Sequence, residues 1–370
     1  MLFFSQPSVL LGSDSRLRAA GKHEYIWLGT LPDGRPIPWR LLSRQGNGGT
    51  YRDAAGQEKT GALFLLCGMT LGTYRPGNEI RENFTIPFHA EKNAQEPENP
   101  ADVWRESDVR AWCAKFEQDC LSEGERAALL ATYKSDGVYQ VRWYPQQPPI
   151  PAAPGILDGD RVFFLSDEEA ENTAYGFTIK SNRTAGKEWW TRTYEKTDAA
   201  LGYRVASIVI TNSGGLLSAP ISPNTSMYAR PAMNLDSRQV LMISAAGMEK
   251  PERLTKVPPL RGPREWKLTL LDPALSGLSL GPVRQEGKEL AVPYENAPFG
   301  EGLYLSAMAL DQKGRMVRYG AAAPLKTPAG EVFLDISALP RRGQVFLFTE
   351  QRNGGKRTDY AGVPVPLREA

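Results

Sequence analysis

Thirty-five glycines and 29 prolines are scattered through 370 residues, and this punctuation limits the chain more than any other feature. Glycine weakens helix and strand interiors and proline removes a backbone donor. A chain broken this often favours turns, short strands and long loops over helical bundles. The length suits two or three domains, each able to bury its own core. With 41% hydrophobic and 23% charged residues, wholesale disorder is excluded. Net charge is +2, which gives no reason to expect nucleic acid or an anionic membrane as partner.

The reactive side chains narrow the chemistry. Two histidines, His23 and His89, cannot build a multi-histidine metal site. Three cysteines (Cys67, Cys113, Cys120) form neither a disulfide framework nor a CxxC pair. On one helix Cys113 and Cys120 would lie roughly 10 Å apart along the axis, too far to bridge, so buried free thiols are expected. No run of 18 apolar residues is present, so no membrane-spanning helix is expected. The apolar start, Met1 to Gly12, lacks a basic flank and is interrupted by Gln6 and Pro7, which argues against a cleaved signal.

Along the chain, Tyr25–Leu28, Ile37–Leu42 and Ala62–Leu66 read as short strands between turns at Pro32-Asp33-Gly34 and Gly46–Gly49. Ser107 caps a predicted helix with Val109, Trp112 and Phe116 on one face. Ser122 with Glu125, and Ser166 with Glu169, are capping boxes opening two more, the last ending near Gly176. Pro145–Pro154 is expected to be an extended excursion. Arg161–Leu165, Trp189–Arg192, Tyr203–Ile210 and Tyr228–Leu235 read as strands. A connector, Glu249–Arg264, carries Lys250, Arg253, Lys256, Arg261 and Arg264 and is expected to be a solvated linker. Seven regularly spaced strands from Trp266 to Val365 then suggest an immunoglobulin-like β-sandwich without a disulfide.

Taken in order, Trp27-Leu-Gly29, Pro38–Ser43, Leu63–Leu66, Ser107–Trp112, Val162–Ser166 with Glu169-Ala170, Trp189-Trp-Thr-Arg192 and Ala229-Arg-Pro-Ala232 resemble one family. It is the domain-of-unknown-function 6273 family, common in gut Firmicutes and their phages. The ordered set covers residues 22 to 245 and is specific although each motif alone is weak. The tail, through Trp266–Asp272, Val292–Ala297, Thr349–Gly354 and Thr358–Ala361, looks like the β-domain that often follows it. More distantly, the front part resembles the C-type-lectin-like fold of formylglycine-generating enzymes and of retroelement-diversified variable proteins. The resemblance implies an α+β architecture. An N-terminal extension (1–21) precedes a C-type-lectin-like domain of small twisted antiparallel sheets and short helices (22–245). A linker (246–264) leads to the immunoglobulin-like sandwich (265–370). Where the family has a small loop after Trp-Trp-x-Arg, this chain has Thr193–Asp198, aromatic and charged.

Three loops are the candidate recognition surface: one around Tyr194, Glu195, Lys196, Asp198 and Tyr203, a second at Asn212–Gly215, and a third at Pro223–Tyr228. Tyr, Asn, Ser and Gly are the mix that binding loops use, and also simply what loops contain. Trp189 and Trp190 should face opposite ways on a strand, one in the core and the other free to sit near the surface, with a structural role favoured for the pair and Trp190 kept as the candidate contact. The candidate ligand-binding set is therefore Trp190, Tyr194, Glu195, Lys196, Asp198, Tyr203, Asn212, Asn224 and Tyr228. Arg192 and Arg230 sit among apolar neighbours and read either as anion-binding forks or as buried ties for loop carbonyls, the latter favoured.

No cofactor or metal is expected. Glu96–Asn99 only superficially matches a lectin calcium motif, and its usual Trp-Asn-Asp partner is missing. No GxSxG, HExxH, phosphate loop or GxGxxG occurs, and Asp158/Asp160 and Asp167/Glu169 have structural reasons to be acidic, so no catalytic residue is assigned. The asparagines at 83, 182 and 224 match the glycosylation sequon by chance. The resulting expectation is a non-enzymatic ligand-recognition protein. Its partner would be a protein or glycan on a cell or phage surface, with no nucleic acid or membrane insertion and homo-oligomerisation left open. An extracellular, cell-surface or virion location is favoured. The alternatives are a structural virion or cell-surface assembly component, and an oxidase-like enzyme on the formylglycine-generating scaffold.

Overall fold

The computed structural model describes residues 25–77, 79–80, 83–89, 102–137, 139–141, 150–196, 205–221, 224–257, 265–339 and 343–367. It corrects the expected α+β, lectin-like class: the chain is predominantly β, 46% strand against 15% helical, with large mixed and antiparallel sheets. The helix signals were real but the helices are too small to form a layer. Four α-helices are present among the described residues: α1 (Asp102–Arg105), α2 (Asp108–Cys120), α3 (Glu123–Ala127) and α4 (Asp167–Glu171). Ser107 caps α2 by accepting from the Arg110 amide. Complete capping boxes open α3 and α4, yet each runs for only five residues. A cap selects where a helix starts, and it does not lengthen one that lacks a continuing apolar stripe. None of the described helices is long and apolar enough to cross a membrane.

The chain divides into two compact units, one holding Tyr25 and 29–236 and the other 26–28 and 237–367. In the N-terminal unit, Val162–Phe164, Pro231–Asp236, Ala62–Cys67 and Pro36–Ser43 lie side by side in that order, all antiparallel. Ala62–Cys67, a continuous apolar run, and Pro231–Asp236 are buried at every position, and the second takes Asn234 inside on hydrogen bonds to Asn47 Oδ1 and Thr132 Oγ1. Helix α2 turns Val109, Trp112 and Phe116 inward. There Trp112 stacks on Phe116 at 5.3 Å and Tyr74 meets Trp112 edge-on at 5.5 Å.

A second sheet of this unit runs Tyr139–Val141, Ile150–Pro154, Trp189–Lys196, Val205–Ile210 and Leu216–Pro220. Two of its features correct the sequence reading. Ile150–Pro154 is a paired strand rather than an excursion: Pro151 is matched only toward Gln140 and Pro154 only toward Thr193, so neither proline has to pair on both sides. The Thr193–Asp198 stretch is also no loop as far as Lys196, because Tyr194 and Glu195 pair with Ala153 and Ala152 on one side and with Ser207 and Ala206 on the other.

The C-terminal unit is built on a mixed sheet. Ile26–Leu28 and Val240–Ala245 flank Glu265–Leu271, which continues through Asp359–Ala361, Gln344–Gln351, Leu303–Leu310, Met316–Pro324 and Thr255–Lys256. A smaller sheet centres on Glu289–Glu295. Val292, Val332 and Leu334 from it pack against Leu305 and Leu347 in one core cluster. Glu265–Leu271 and Asp359–Ala361 pair in parallel, and strands upstream of residue 265 join the sheet. This departs from the expected seven-stranded, all-antiparallel immunoglobulin-like sandwich.

The connector is not a solvated linker either. Thr255–Lys256 pairs with Tyr319 and Arg318, and Lys250 is buried. Its Nζ lies 2.6 Å from Glu350 Oε1 and 2.7 Å from Asp359 Oδ2, and Lys267 Nζ lies 2.8 Å from the same Asp359 oxygen. Tyr319 Oη donates to Glu350 at 2.7 Å and Arg352 Nε at 3.0 Å. Burial pushes the Glu350 carboxyl up, but Lys250 and Arg352 outweigh it and hold its pKa at about 2. Residues 258–264 of the connector lie outside the described residues.

Candidate binding site

Strand Trp189–Lys196 organises the chemistry of the N-terminal unit, and it separates two arginines with opposite circumstances. Arg192 is fully buried and fully used. Its Nε donates to Gly155 O at 3.1 Å and its Nη1 to Phe164 O at 2.8 Å and to the Glu169 carboxylate. Glu169 also accepts from Lys134 Nζ at 2.9 Å and Asn47 Nδ2 at 3.0 Å. Burial would raise the Glu169 carboxyl, yet Arg192 and Lys134 hold it down at about 2. A guanidinium closed in this way is a structural tie, as the bland reading of Arg192 held.

Arg230, just before strand Pro231–Asp236, is equally buried and has no carboxylate partner among the described residues. Its Nε donates to Cys67 O at 2.9 Å and its Nη1 to Arg183 O at 2.6 Å, while the guanidinium lies 4.9 Å from the Trp189 ring centre. Nη2 is buried with no hydrogen-bond partner. Burial, with the nearby Arg40 acting in the same direction, lowers the Arg230 pKa to about 9. Arg40, on strand Pro36–Ser43, donates from Nη1 to Asn182 O at 2.6 Å and packs over the Phe177 ring at 5.3 Å. Burial depresses its pKa as well.

The two arginines, with Tyr25, Ser181, Asn182 and Thr184, line a cleft of about 70 Å³. A buried donor left unmatched costs roughly 1–3 kcal/mol, more when charged. Sequence reasoning weighed Arg230 but passed over Arg40 and Tyr25. The signal was available in Trp39-Arg-Leu41, which repeats the pattern of an arginine flanked by core residues.

Exposed turns adjoin the cleft. Arg183, whose carbonyl receives Arg230, sends its own Nη1 to Gly214 O at 3.2 Å in the turn Thr211–Gly215. Asn212 is exposed there, with Ser213 beside it. Trp189 pairs with Ile210 on one side and bridges to Tyr228 on the other, so this turn and Tyr228 belong to neighbouring segments. Tyr228 is half-buried, with Lys187 Nζ 5.7 Å from its ring centre. Asn224 is exposed in the turn before Ser226–Met227, where Ser226 Oγ lies 2.8 Å from Thr85 Oγ.

Three other expected ligand-binding residues are in the core. Trp190 is 0% exposed, Tyr194 8% and Glu195 0%. The two tryptophans do point opposite ways, but both faces of their strand are covered. Trp189 lies against Arg230, and Trp190 donates from Nε1 to Ile86 O at 2.7 Å and meets Phe88 edge-on. Lys196 ends the strand opposite Val205, its side chain outside the described residues, as are Asp198 and Tyr203.

Of the six expected residues whose side chains are described, Asn212, Asn224 and Tyr228 are the ones that reach the surface. Among the described residues, no group of three or more His, Cys, Asp and Glu side chains is placed to hold a metal ion. Comparison of the chain with protein-family models, curated proteins and solved structures found no match.

Proposed function

We propose that this chain acts by recognition without bond-making chemistry, and that the surface it offers is the turn Thr211–Gly215 together with Tyr228 and Asn224. One observation carries this reading. The exposed Asn212 turn is fastened from within, by the Arg183 guanidinium on Gly214 O and by the close seat of Gly214 against the Lys180 carbonyl. A polar turn held this rigidly loses little entropy on binding, which is what makes small hydrogen-bonding groups effective contacts. The motifs resembling the 6273 family that fall in this unit fit the same reading, since they supply much of its supporting core. The partner class proposed is a protein or glycan of a cell or phage surface.

The test is direct. The labelled whole chain is screened over an immobilised panel of bacterial surface glycans and intact Firmicutes cells. Asn212→Ala combined with Tyr228→Ala should cut retained signal at least tenfold while the melting temperature moves by no more than about 2 °C. Equal retention by wild type and double variant would overturn the assignment of this surface.

A further inference from the structure

The cleft beneath the turns carries a separate inference. We infer that the Arg40–Arg230 cleft is a receptor site for a small oxyanion, a carboxylate or phosphoryl group. The first ground is a comparison within one molecule. Arg192 and Arg230 are both fully buried and both tie two backbone carbonyls, yet Arg192 also meets Glu169 whereas Arg230, among the described residues, meets no acid and keeps Nη2 unmatched. Proteins neutralise buried guanidinium groups, and where the chain supplies no anion a ligand can.

The second ground is the neighbour. Arg40 brings another positive charge to the same wall, an arrangement that costs free energy empty and is relieved when an anion sits between the two. The third is shape and lining. About 70 Å³ is room for a carboxylate or phosphoryl group. The hydroxyl-bearing Ser181 and Tyr25 on the wall supply groups that bond anionic oxygens. The unmatched Nη2 of Arg230 and the N–H groups of Arg40 not spent on Asn182 O can donate to separate oxygens of one such group, which a chloride ion does not offer.

This site is independent of the turn surface, and the two can fail separately. The experiment is calorimetric titration and thermal unfolding of the whole chain with sodium phosphate and with sodium acetate, against sodium chloride at equal ionic strength. Saturable binding of at least one oxyanion is expected, with a rise in melting temperature that chloride does not reproduce. Arg40→Gln should weaken it at least tenfold. Arg110→Gln, which removes an arginine paired with Asp160 elsewhere in this unit, should leave it unchanged. Arg230→Lys should abolish it, and if that variant does not fold, Arg40→Gln decides alone. The inference is overturned by the absence of saturable binding, by chloride acting equally well, or by wild-type affinity in Arg40→Gln. Phosphate binding without acetate binding assigns a phosphoryl group, and the reverse a carboxylate.

Discussion

Trp190 and Tyr194 show how far a single side chain's role depends on what covers it. As a surface ring Tyr194 would be dispensable for stability, but at 8% exposure in a strand paired on both sides it is a core residue. Tyr194→Ala should therefore lower stability by several kcal/mol, and Trp190→Ala and Trp39→Ala by about 3–5 kcal/mol each, read as urea midpoints. An unchanged midpoint for Tyr194→Ala would return that ring to the surface. The arginines separate in the same way. Arg192→Met leaves the buried Glu169 carboxylate with Lys134 as its cation and without the guanidinium on its other oxygen, and should cost about 3 kcal/mol. Arg230→Met strands no carboxylate, so its cost should be clearly smaller despite equal burial. Equal losses would mean that Arg230 has an acidic partner after all.

At the scale of elements, the turn Thr211–Gly215 is the most instructive. Gly214 has φ +80°, and a Cβ there would come within 1.9 Å of the Lys180 carbonyl oxygen. Gly34 has the similar φ of +86° with nothing near its missing side chain. Both alanine variants bear the left-handed backbone cost of roughly 1–2 kcal/mol. Only Gly214→Ala adds a backbone clash, so it should lose at least about 1 kcal/mol more in thermal unfolding. Equal losses would show that the turn is not seated on Lys180. The helices carry the converse lesson. Their caps were legible because a serine hydroxyl and a glutamate three residues later act locally, while their five-residue lengths depended on packing that no local signal encodes.

At the scale of the whole molecule, each unit encloses a carboxylate held by cations, Glu169 with Arg192 and Lys134, Glu350 with Lys250 and Arg352. Both have folded pKa values of about 2 against an ordinary 4.5. Their stabilisation is therefore complete above about pH 4.5 and is lost as pH falls toward 2, about 3 kcal/mol for each carboxylate. Urea midpoints should be flat from pH 7 to 5 and fall steeply between 4.5 and 2.5, with Glu350→Gln removing part of that slope. A midpoint level down to pH 3 would contradict these ion pairs.

The amino-acid order alone determined where several of the strands lie, where hydroxyl caps start helices and where glycines turn the chain, because those choices are made by atoms within about four residues of one another. Only the tertiary structure decided that Thr193–Lys196 is an interior strand, that Lys250 is a buried cation and that the helices are too small to form a layer. It also decided which arginine meets a carboxylate. Whether a charge is solvated, paired or left waiting depends on groups that arrive from far along the chain, and local pattern carries no record of them.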